Sequence, residues 1–240
     1  AAGGLAQQAI AAIENACLDI AGKAAGLPVH TLLGGPLRER VPVYWTHCGS
    51  YRVGPREPFY HGELGYPAIR KMDDLVAVAK EAVARGYRAV KTNPVFFDRE
   101  KPYFFSGGFR IAPGFLDRSI TDRQLAQIDE QMTAYREAVG PDVGLMLDLS
   151  FSQRTEGYLR IAHRLEHLQL AWLELDINDP EALGFIRRNC RTPIASLESL
   201  HGIAEYRPFL QGQTVDTCIV DPMWNGVWQS ARIAAFADAH

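Results

Sequence analysis

The chain has 240 residues, of which 47% are hydrophobic and 22% are charged, and its formal net charge is −3. This length can hold one large core or two small ones, and the composition is that of an ordinary globular protein. The slight negative charge and the lack of Lys or Arg runs argue against a nucleic-acid partner. No apolar stretch approaches the roughly 18–20 residues of a membrane span, so no membrane partner is expected.

The cysteines and the first residues bear on the compartment in which the protein works. Four cysteines lie far apart, without a Cys-x-x-Cys pair: Cys17, Cys48, Cys190 and Cys218. This spacing disfavours a zinc knuckle or a disulfide scaffold and suits the reducing cytosol. Residues 1–8 show neither the basic nor the apolar region of a signal peptide, so a cytoplasmic location is expected.

The first 40 residues differ from the rest of the chain. Residues 9–25 read as one alanine-rich helix, with a stripe formed by Ile10, Ile13, Cys17 and Ile20. The helix is expected to end at the Gly-Leu-Pro run of residues 26–28, and the LLGGP run of 32–36 turns the chain toward a first strand.

Past residue 40, short apolar runs alternate with segments of helical periodicity. Six runs are predicted strands: 41–48, 87–95, 143–150, 170–176, 192–198 and 215–222. Strands that alternate with helices indicate βαβ units and a parallel sheet buried on both faces. We therefore predict an α/β fold with no domain boundary between residue 41 and residue 240.

The connection at residues 96–120 is long and contains several aromatic residues and glycines: Phe96, Phe97, Tyr103, Phe104, Phe105, Gly107 and Gly108. A connection of this length inside an α/β unit often covers a functional site. A plain surface excursion is the alternative.

Four predicted strands end in a carboxylate, namely Asp148, Glu174, Glu198 and Asp221. A parallel barrel gathers the carboxyl ends of its strands on one face, where its active sites lie. Carboxylates that converge in a low-dielectric pocket repel one another unless a cation neutralises them. Oxygen ligands without Cys or His suit a hard ion, and Mg²⁺ is favoured over Zn²⁺. The alternative is that each acid caps the helix that follows it.

Several motifs occur together in a fixed order: the helix of residues 12–23 with LLGG at 32–35, LDLS at 147–150, WLE at 172–174, ASLESL at 195–200, and VDTCIVD at 215–221 followed by NGV at 225–227. In this order and spacing the chain resembles the mandelate racemase and muconate lactonizing branch of the enolase superfamily. The resemblance implies a TIM-type (β/α) barrel that binds Mg²⁺ through Asp148, Glu174 and Glu198. It also implies removal of a proton next to a substrate carboxylate, with the metal stabilising the enediolate.

The resemblance also implies a domain organisation. Residues 1–40 would be the last helix and turn of an N-terminal capping domain, and residues 41–240 a partial barrel carrying the metal site. About six strand–helix units are counted where a complete barrel has eight, so the sequence is expected to be part of something longer. The implied partners are a small-molecule carboxylate substrate and further copies of the chain, since homo-oligomers are usual among relatives.

The chain departs from the family pattern on its second barrel strand. The family carries Lys-x-Lys there, with the second lysine as a base, whereas residues 90–93 read VKTN and place Asn93 at that position. An amide is not a useful base near neutral pH. Lys91 remains and is expected either to steady the substrate or to pair with a barrel acid. Family members without this lysine use a His–Asp dyad, in which Asp221 would assist a histidine beyond residue 240.

A dehydratase also needs an acid that protonates the departing hydroxide. Some sugar-acid dehydratases have a histidine two residues after the first metal ligand, where this chain has Ser150. The remaining candidates are His47 and Tyr103, while Arg52 and Asn93 are candidates for binding the substrate together with Tyr103. The alternatives are that His47 is structural, that Tyr103 packs with other aromatic residues and that Arg52 lies on the surface.

We therefore predict a Mg²⁺-dependent dehydratase of an acid sugar, with catalytic candidates Asp221, Lys91 and His47. Dehydration is preferred to racemisation because only one base is inferred. A racemase, epimerase or cycloisomerase is the alternative within the superfamily. A metal-binding barrel without catalysis and a barrel whose acids only cap helices are the others.

Overall fold

The computed structural model describes residues 4–105 and 119–240. Two compact units can be separated by their internal contacts. The larger unit comprises Val43–Ile177 and Phe185–Ala195, and the smaller unit comprises Ala1–Pro42, Asn178–Gly184 and Ser196–His240.

Helices account for much of the described chain. The α-helices are α1 (Gly4–Ala25), α2 (Val29–Leu32), α3 (Met72–Ala84), α4 (Asp122–Val139), α5 (Thr155–Leu165), α6 (Pro180–Arg188), α7 (Gly202–Gln211), α8 (Pro222–Asn225) and α9 (Val227–Asp238). Short 3₁₀ turns occur at Ser50–Arg52, Gly54–Arg56 and Glu166–Leu168, and a π-helical turn at Pro58–Glu63.

Short strands alternate with these helices. They are β1 (Ala89–Thr92), β2 (Val95–Phe96), β3 (Tyr103–Phe104), β4 (Gly144–Asp148), β5 (Trp172–Glu174), β6 (Ile194–Ser196) and β7 (Thr217–Cys218). In the larger unit β1, β4, β5 and β6 pair in that order as parallel neighbours. The predicted α/β class with a parallel sheet is confirmed, although each strand is shorter than its apolar run.

The first predicted strand, at residues 41–48, is reduced to an isolated parallel bridge between Trp45 and Val90. Pro42 lacks an N–H to donate, and His47 has a φ of 48°, in the left-handed region where a strand cannot continue. The 87–95 run also divides, because Val95 and Phe96 leave the parallel sheet and pair antiparallel with β3. The 96–120 connection therefore contains a small ladder, and its residues 106–118, with Gly107 and Gly108, lie outside the described residues.

The sheet of the larger unit is buried on both of its faces. Leu145, Met146 and Leu147 follow one another in β4 and are all at most 1% exposed. Successive residues of a strand point to opposite faces, so three buried neighbours require cover on both. Buried residues of the surrounding helices complete this core: Leu75 and Ala79 of α3, Ile128 and Met132 of α4, and Ile161 and Leu165 of α5.

The smaller unit is built around α1, α7 and α9. Tyr206 of α7 and Ile233 of α9 are fully buried, and Ser196 at the end of β6 accepts a backbone hydrogen bond from Ile219 N at 2.9 Å. The predicted helix at residues 9–25 is confirmed and begins earlier, at Gly4. Its predicted stripe is exposed rather than buried: Ile10, Ile13, Cys17 and Ile20. None of the described helices is long and apolar enough to cross a membrane.

Candidate active site

Two of the predicted metal ligands lie side by side at the carboxyl ends of neighbouring strands. Asp148 of β4 pairs in register with Glu174 of β5, and their exposed fractions are 7% and 1%. One oxygen of Asp148, Oδ1, accepts hydrogen bonds from Ser150 N at 2.8 Å and Ser150 Oγ at 3.0 Å. Among the described residues, the other oxygen has no hydrogen-bond donor. Two buried carboxylates next to each other are costly unless positive charge lies near them.

Lys91 of β1 provides part of that positive charge. Its Nζ lies 2.6 Å from Glu174 Oε2, and the exposed fractions of the two side chains are 8% and 1%. Burial opposes the charged form of Lys91, but the carboxylates of Glu174 and Asp148 outweigh burial and raise the pKa of Lys91. Lys91 is therefore a permanent cation at neutral pH, and the pairing with a barrel acid that the sequence allowed is observed.

Asn93 lies just beyond the end of β1 and connects three parts of the site. Its Nδ2 donates to the backbone oxygen of Asp148 at 3.1 Å. Its Oδ1 lies 2.8 Å from Ser50 Oγ and 2.9 Å from His47 Nδ1. With an exposed fraction of 1%, the amide is fixed from both ends. Its observed partners are protein groups, and contact with a substrate stays a prediction.

His47 stands in a stack of flat side chains. Its ring lies 3.5 Å from that of Tyr51 at an interplanar angle of 15°, and the Arg56 guanidinium lies 3.6 Å from the Tyr51 centroid. Both groups are too close to share one face of the phenol, so they lie on opposite faces. Burial lowers the pKa of His47, against the raising effects of the Asn93 hydrogen bond and the charge of Asp148. The imidazole is therefore neutral at physiological pH.

The donor set fits a hard divalent cation in part. Asp148 and Glu174 offer oxygen ligands only, and the single charge of Lys91 stands beside two carboxylates, so an additional cation would be accommodated electrostatically. Within residues 4–105 and 119–240, however, no group of three or more His, Cys, Asp or Glu side chains is arranged to hold a metal ion. The three-carboxylate site thus stays a prediction.

The two remaining strand-end acids belong to the smaller unit. Asp221 caps α8, since its Oδ1 accepts a hydrogen bond from Met223 N at 2.7 Å. This is the helix-cap role that the sequence left open as the alternative. Burial raises the pKa of Tyr206, and the negative charges near its hydroxyl, Asp221 and Glu198 among them, add to this rise. Glu198 and Asp221 therefore both act on the hydroxyl of Tyr206 within this unit.

Arg52 and Tyr103 contact other protein groups in the structure, and their role in binding a substrate stays a prediction. Arg52 is 7% exposed rather than on the surface, lies 3.8 Å from Glu81 Oε2 and stacks over Tyr66 at 4.2 Å. Tyr103 lies 3.9 Å from the Arg99 guanidinium and packs edge-on against Phe96. Among the described contacts neither side chain reaches Asp148, Glu174 or Lys91, because each is already held by its own neighbours.

Three residues of the site were not predicted from the sequence: Ser50, Tyr51 and Arg56. Ser50 contacts Asn93, Tyr51 stacks on His47, and Arg56 stacks on Tyr51. The backbone turns at His47 (φ 48°) and Gly49 (φ 78°), both in the left-handed region, just before these residues. A Cβ at Gly49 would lie 2.6 Å from Leu75 Cδ2, so glycine is required there for space as well. Gly49 could have indicated a turn in the sequence. The contacts of His47 and Ser50 with Asn93, more than 40 positions away, could not be predicted from it.

Comparison with known proteins identifies the family. Residues 74–240 match the family described as Enolase C-terminal domain-like, and residues 2–34 match the Mandelate racemase / muconate lactonizing enzyme, N-terminal domain. The first match covers well over half of the chain, so the chain belongs to the enolase superfamily, in its mandelate racemase and muconate lactonizing enzyme branch.

Nearly all of this chain aligns with sugar-acid dehydratases. It is 29% identical to a D-mannonate dehydratase of Caulobacter sp., over 99% of this chain and 56% of the relative. It is 30% identical to a D-gluconate dehydratase of Thermoproteus tenax, over 96% of this chain and 40% of the relative. The chain thus spans about half the length of these curated relatives.

Solved structures give the same fold. A Burkholderia xenovorans protein, provisionally named an L-alanine-DL-glutamate epimerase and bound to magnesium and fumarate, superposes with a TM-score of 0.92 at 41% identity. The superposition covers all of this chain and 58% of that protein. The predicted relation to barrel proteins of the enolase superfamily is confirmed.

Proposed function

We propose that the protein is a Mg²⁺-dependent dehydratase of an acid sugar, an aldonate or aldarate, and hence a carbon–oxygen lyase. The observation that carries this proposal is the buried pair of carboxylates, Asp148 and Glu174, at adjacent strand ends, with the Lys91 ammonium 2.6 Å from Glu174. The names of the D-mannonate and D-gluconate dehydratases among its relatives support the substrate class.

Metal binding in this proposal uses oxygen ligands of three strand ends. Asp148 and Glu174 would hold the ion, and Glu198 would be the third ligand, as the sequence predicts from the strand spacing. When bound, Mg²⁺ supplies positive charge that stabilises the negative charge developing on the substrate carboxylate as the α-proton leaves. The magnesium in the Burkholderia relative supports this choice of ion.

Lys91 has a defined task in the proposed reaction. Its pKa is raised, so it stays charged and serves as a fixed electrostatic partner for the substrate carboxylate rather than as a base. Release of Lys91 from Glu174 upon metal binding would free its ammonium for this contact. Asp221 is proposed to assist a histidine, as in the His–Asp dyad that the family resemblance implies.

An epimerase is the second candidate, and a specific observation favours it. The Burkholderia relative has the higher identity, 41%, and carries an epimerase name. Epimerisation shares the first step, removal of the α-proton, but returns a proton to the opposite face and expels no hydroxide. The two reactions therefore differ in their products from the same site.

The deciding experiment incubates the full chain with Mg²⁺ in D₂O with D-mannonate, D-gluconate, D-galactonate and the dipeptide L-alanyl-L-glutamate in turn. Dehydratase activity yields a 2-keto-3-deoxy acid, because the enol formed by loss of water rearranges to a ketone. Proton NMR detects this product together with deuterium at the α-carbon.

Each outcome of this experiment supports one of the candidate functions. A Mg²⁺-dependent keto acid from a sugar acid supports the proposal. Deuterium incorporation without loss of water, from any of the four compounds, supports the epimerase. If Mg²⁺ raises the melting temperature but no compound reacts, the protein is a metal-binding barrel without this activity.

A further inference from the structure

His47 combines an unusual backbone conformation with a fully specified hydrogen bond. Its φ of 48° lies in a region that few non-glycine residues adopt and that recurs at functional sites. The imidazole is half-buried, and the charges that shift its pKa include Asp148 and Lys91 of the carboxylate site. Asn93 joins the histidine to this site, since its amide contacts both His47 Nδ1 and the backbone oxygen of Asp148.

The neighbours of Asn93 determine which nitrogen of His47 carries the proton. The backbone oxygen of Asp148 can only accept, so the group of Asn93 that faces it at 3.1 Å must be the NH₂ group. The amide oxygen therefore faces His47 and Ser50, at 2.9 Å and 2.8 Å. An amide oxygen can only accept, so His47 Nδ1 must donate. In the neutral ring the lone pair is then on Nε2.

We propose that His47 is the proton acceptor of this site, with Nε2 as the accepting atom, and that Asn93 and Ser50 are positioning residues that hold the Nδ1–H tautomer. This inference rests on the proposed function for its substrate class, a carboxylic acid with an α-proton. It requires no residue outside the chain for the first proton transfer.

The proton balance of the step is simple. The α-carbon–hydrogen bond breaks, its proton forms a bond to His47 Nε2, and its electron pair moves into the substrate carboxylate. His47 becomes an imidazolium whose Nδ1–H still donates to Asn93 Oδ1. The proton later leaves Nε2 for the departing hydroxide or for water, which restores the neutral ring.

The direction of transfer follows from the same geometry. A proton donor needs a hydrogen on the atom that faces the substrate, and in the neutral tautomer Nε2 has none. The groups acting on the ring are Asn93 and Asp148, which raise the pKa of His47, and Lys91 and Arg56, which lower it together with burial. Their net effect keeps the ring neutral, which suits an acceptor at physiological pH and not the donor role expected from the sequence.

The first test is spectroscopic and independent of substrate. The full chain labelled with ¹⁵N-histidine is observed by long-range ¹H–¹⁵N correlation at pH 8, with His47 assigned from His47→Gln. We expect the Nδ1–H pattern for His47 in the wild type and a shift toward Nε2–H in Asn93→Leu. Asn93→Asp keeps an accepting oxygen and should keep Nδ1–H.

Two other histidines serve as internal references, since both bond to backbone oxygens that can only accept. His61 Nδ1 lies 2.8 Å from Tyr66 O, and His163 Nε2 lies 2.6 Å from Asn189 O. Their opposite tautomers should not change in any Asn93 variant. An Nε2–H pattern for wild-type His47 would overturn the proposal whatever the reaction of the protein.

The second test is kinetic and uses the acid that reacts in D₂O with Mg²⁺. His47→Gln is expected to lower α-proton exchange by about 10²–10⁴-fold, the usual contribution of a general base. Asn93→Leu should lower kcat more than KM, and Asn93→Asp should recover part of the loss and move the acid limb of the pH profile upward. Exchange within threefold of wild type in folded His47→Gln would refute the proposal. Failure of every acid to react would contradict the proposed function alone, and the tautomer would then decide this inference.

Discussion

Lys91 and Glu174 are opposite charges that are both removed from water, and this makes each dependent on the other. An exposed pair contributes at most about 1 kcal/mol, whereas removing one partner of a buried pair costs about 3–5 kcal/mol, because the other charge stays behind uncompensated. The side chains of Lys91 and Glu174 are 8% and 1% exposed, so they form a buried pair.

Lys91→Met should therefore lower the free energy of unfolding by about 3 kcal/mol in metal-free buffer, as measured by urea denaturation. The control is Lys23→Met, since Lys23 and Asp19 form a pair that is 75% and 55% exposed. The control should change stability by less than about 1 kcal/mol. Equal effects of the two substitutions would contradict the assignment of a buried ion pair.

The lowered pKa of His47 predicts a pH dependence of stability. The folded protein binds this proton less readily than the unfolded chain, whose histidine has the ordinary pKa of 6.5. The unfolded state therefore gains protons first as the pH falls, and stability is lost on the acid side of that value. His47→Gln should therefore lose less stability than the wild type between pH 7 and pH 5. Melting temperatures measured at each pH test this. His30→Gln, at an exposed position, should leave the wild-type slope, and a slope unchanged in His47→Gln as well would be evidence against a buried neutral ring.

The positions of single site residues could be predicted from the sequence where the strand–helix repeat determines them. Asp148 and Glu174 stand at successive strand ends, so their proximity followed from the strand–helix repeat. The contact of His47 with Asn93 did not follow, because it depends on a turn through left-handed backbone that no apolar period describes. The contacts of Arg52 with Glu81 and Tyr66 did not follow from the sequence either, because no apolar period relates these three positions.

At the scale of elements, the first helix and the last are joined within the smaller unit. Asn15 Oδ1 of α1 accepts a hydrogen bond from Val227 N at 2.8 Å and so caps the start of α9. Gly226, the residue before α9, has a φ of 76°, and a Cβ there would lie 2.0 Å from Glu14 Oε2. The segment matched by the N-terminal family thus stabilises a helix matched by the C-terminal one.

Gly226→Ala should destabilise the protein by more than the 1 kcal/mol or so of left-handed strain alone, because the methyl group also collides with Glu14. Gly26→Ala is the matched control: its φ is 66° and nothing lies within 4 Å of the added carbon. In urea denaturation the first variant should lose clearly more stability than the second. Adding Glu14→Ala to Gly226→Ala should recover the difference, and a double variant as unstable as the single one would argue against this contact.

Strand positions were predicted better than strand lengths. The apolar runs at 143–150 and 170–176 contain β4 and β5, but pairing covers only the residues that face a neighbour in register. The run at 41–48 failed as a strand because Pro42 and the turn at His47 interrupt the ladder at both ends. Hydrophobic pattern reports burial, and burial extends beyond the hydrogen-bonded ladder.

For the whole molecule, the family is established and the proposed chemistry depends on a metal ion. The assignment of residues 1–40 to a capping domain and of residues 41–240 to a barrel stays a prediction, as does assembly into homo-oligomers. Light scattering of the purified chain would measure the latter.

The most direct test of the proposal is calorimetric titration of the full chain with Mg²⁺. We predict one site whose affinity falls at least tenfold in Asp148→Asn, Glu174→Gln and Glu198→Gln. Asp142→Asn, an exposed acid just before β4, should bind as the wild type does. Saturation at 100 times the dissociation constant should also stabilise the wild type by about 2.7 kcal/mol. Absence of Mg²⁺ binding, or binding that survives the loss of Asp148 and Glu174, would contradict the proposed magnesium site and the mechanism built on it.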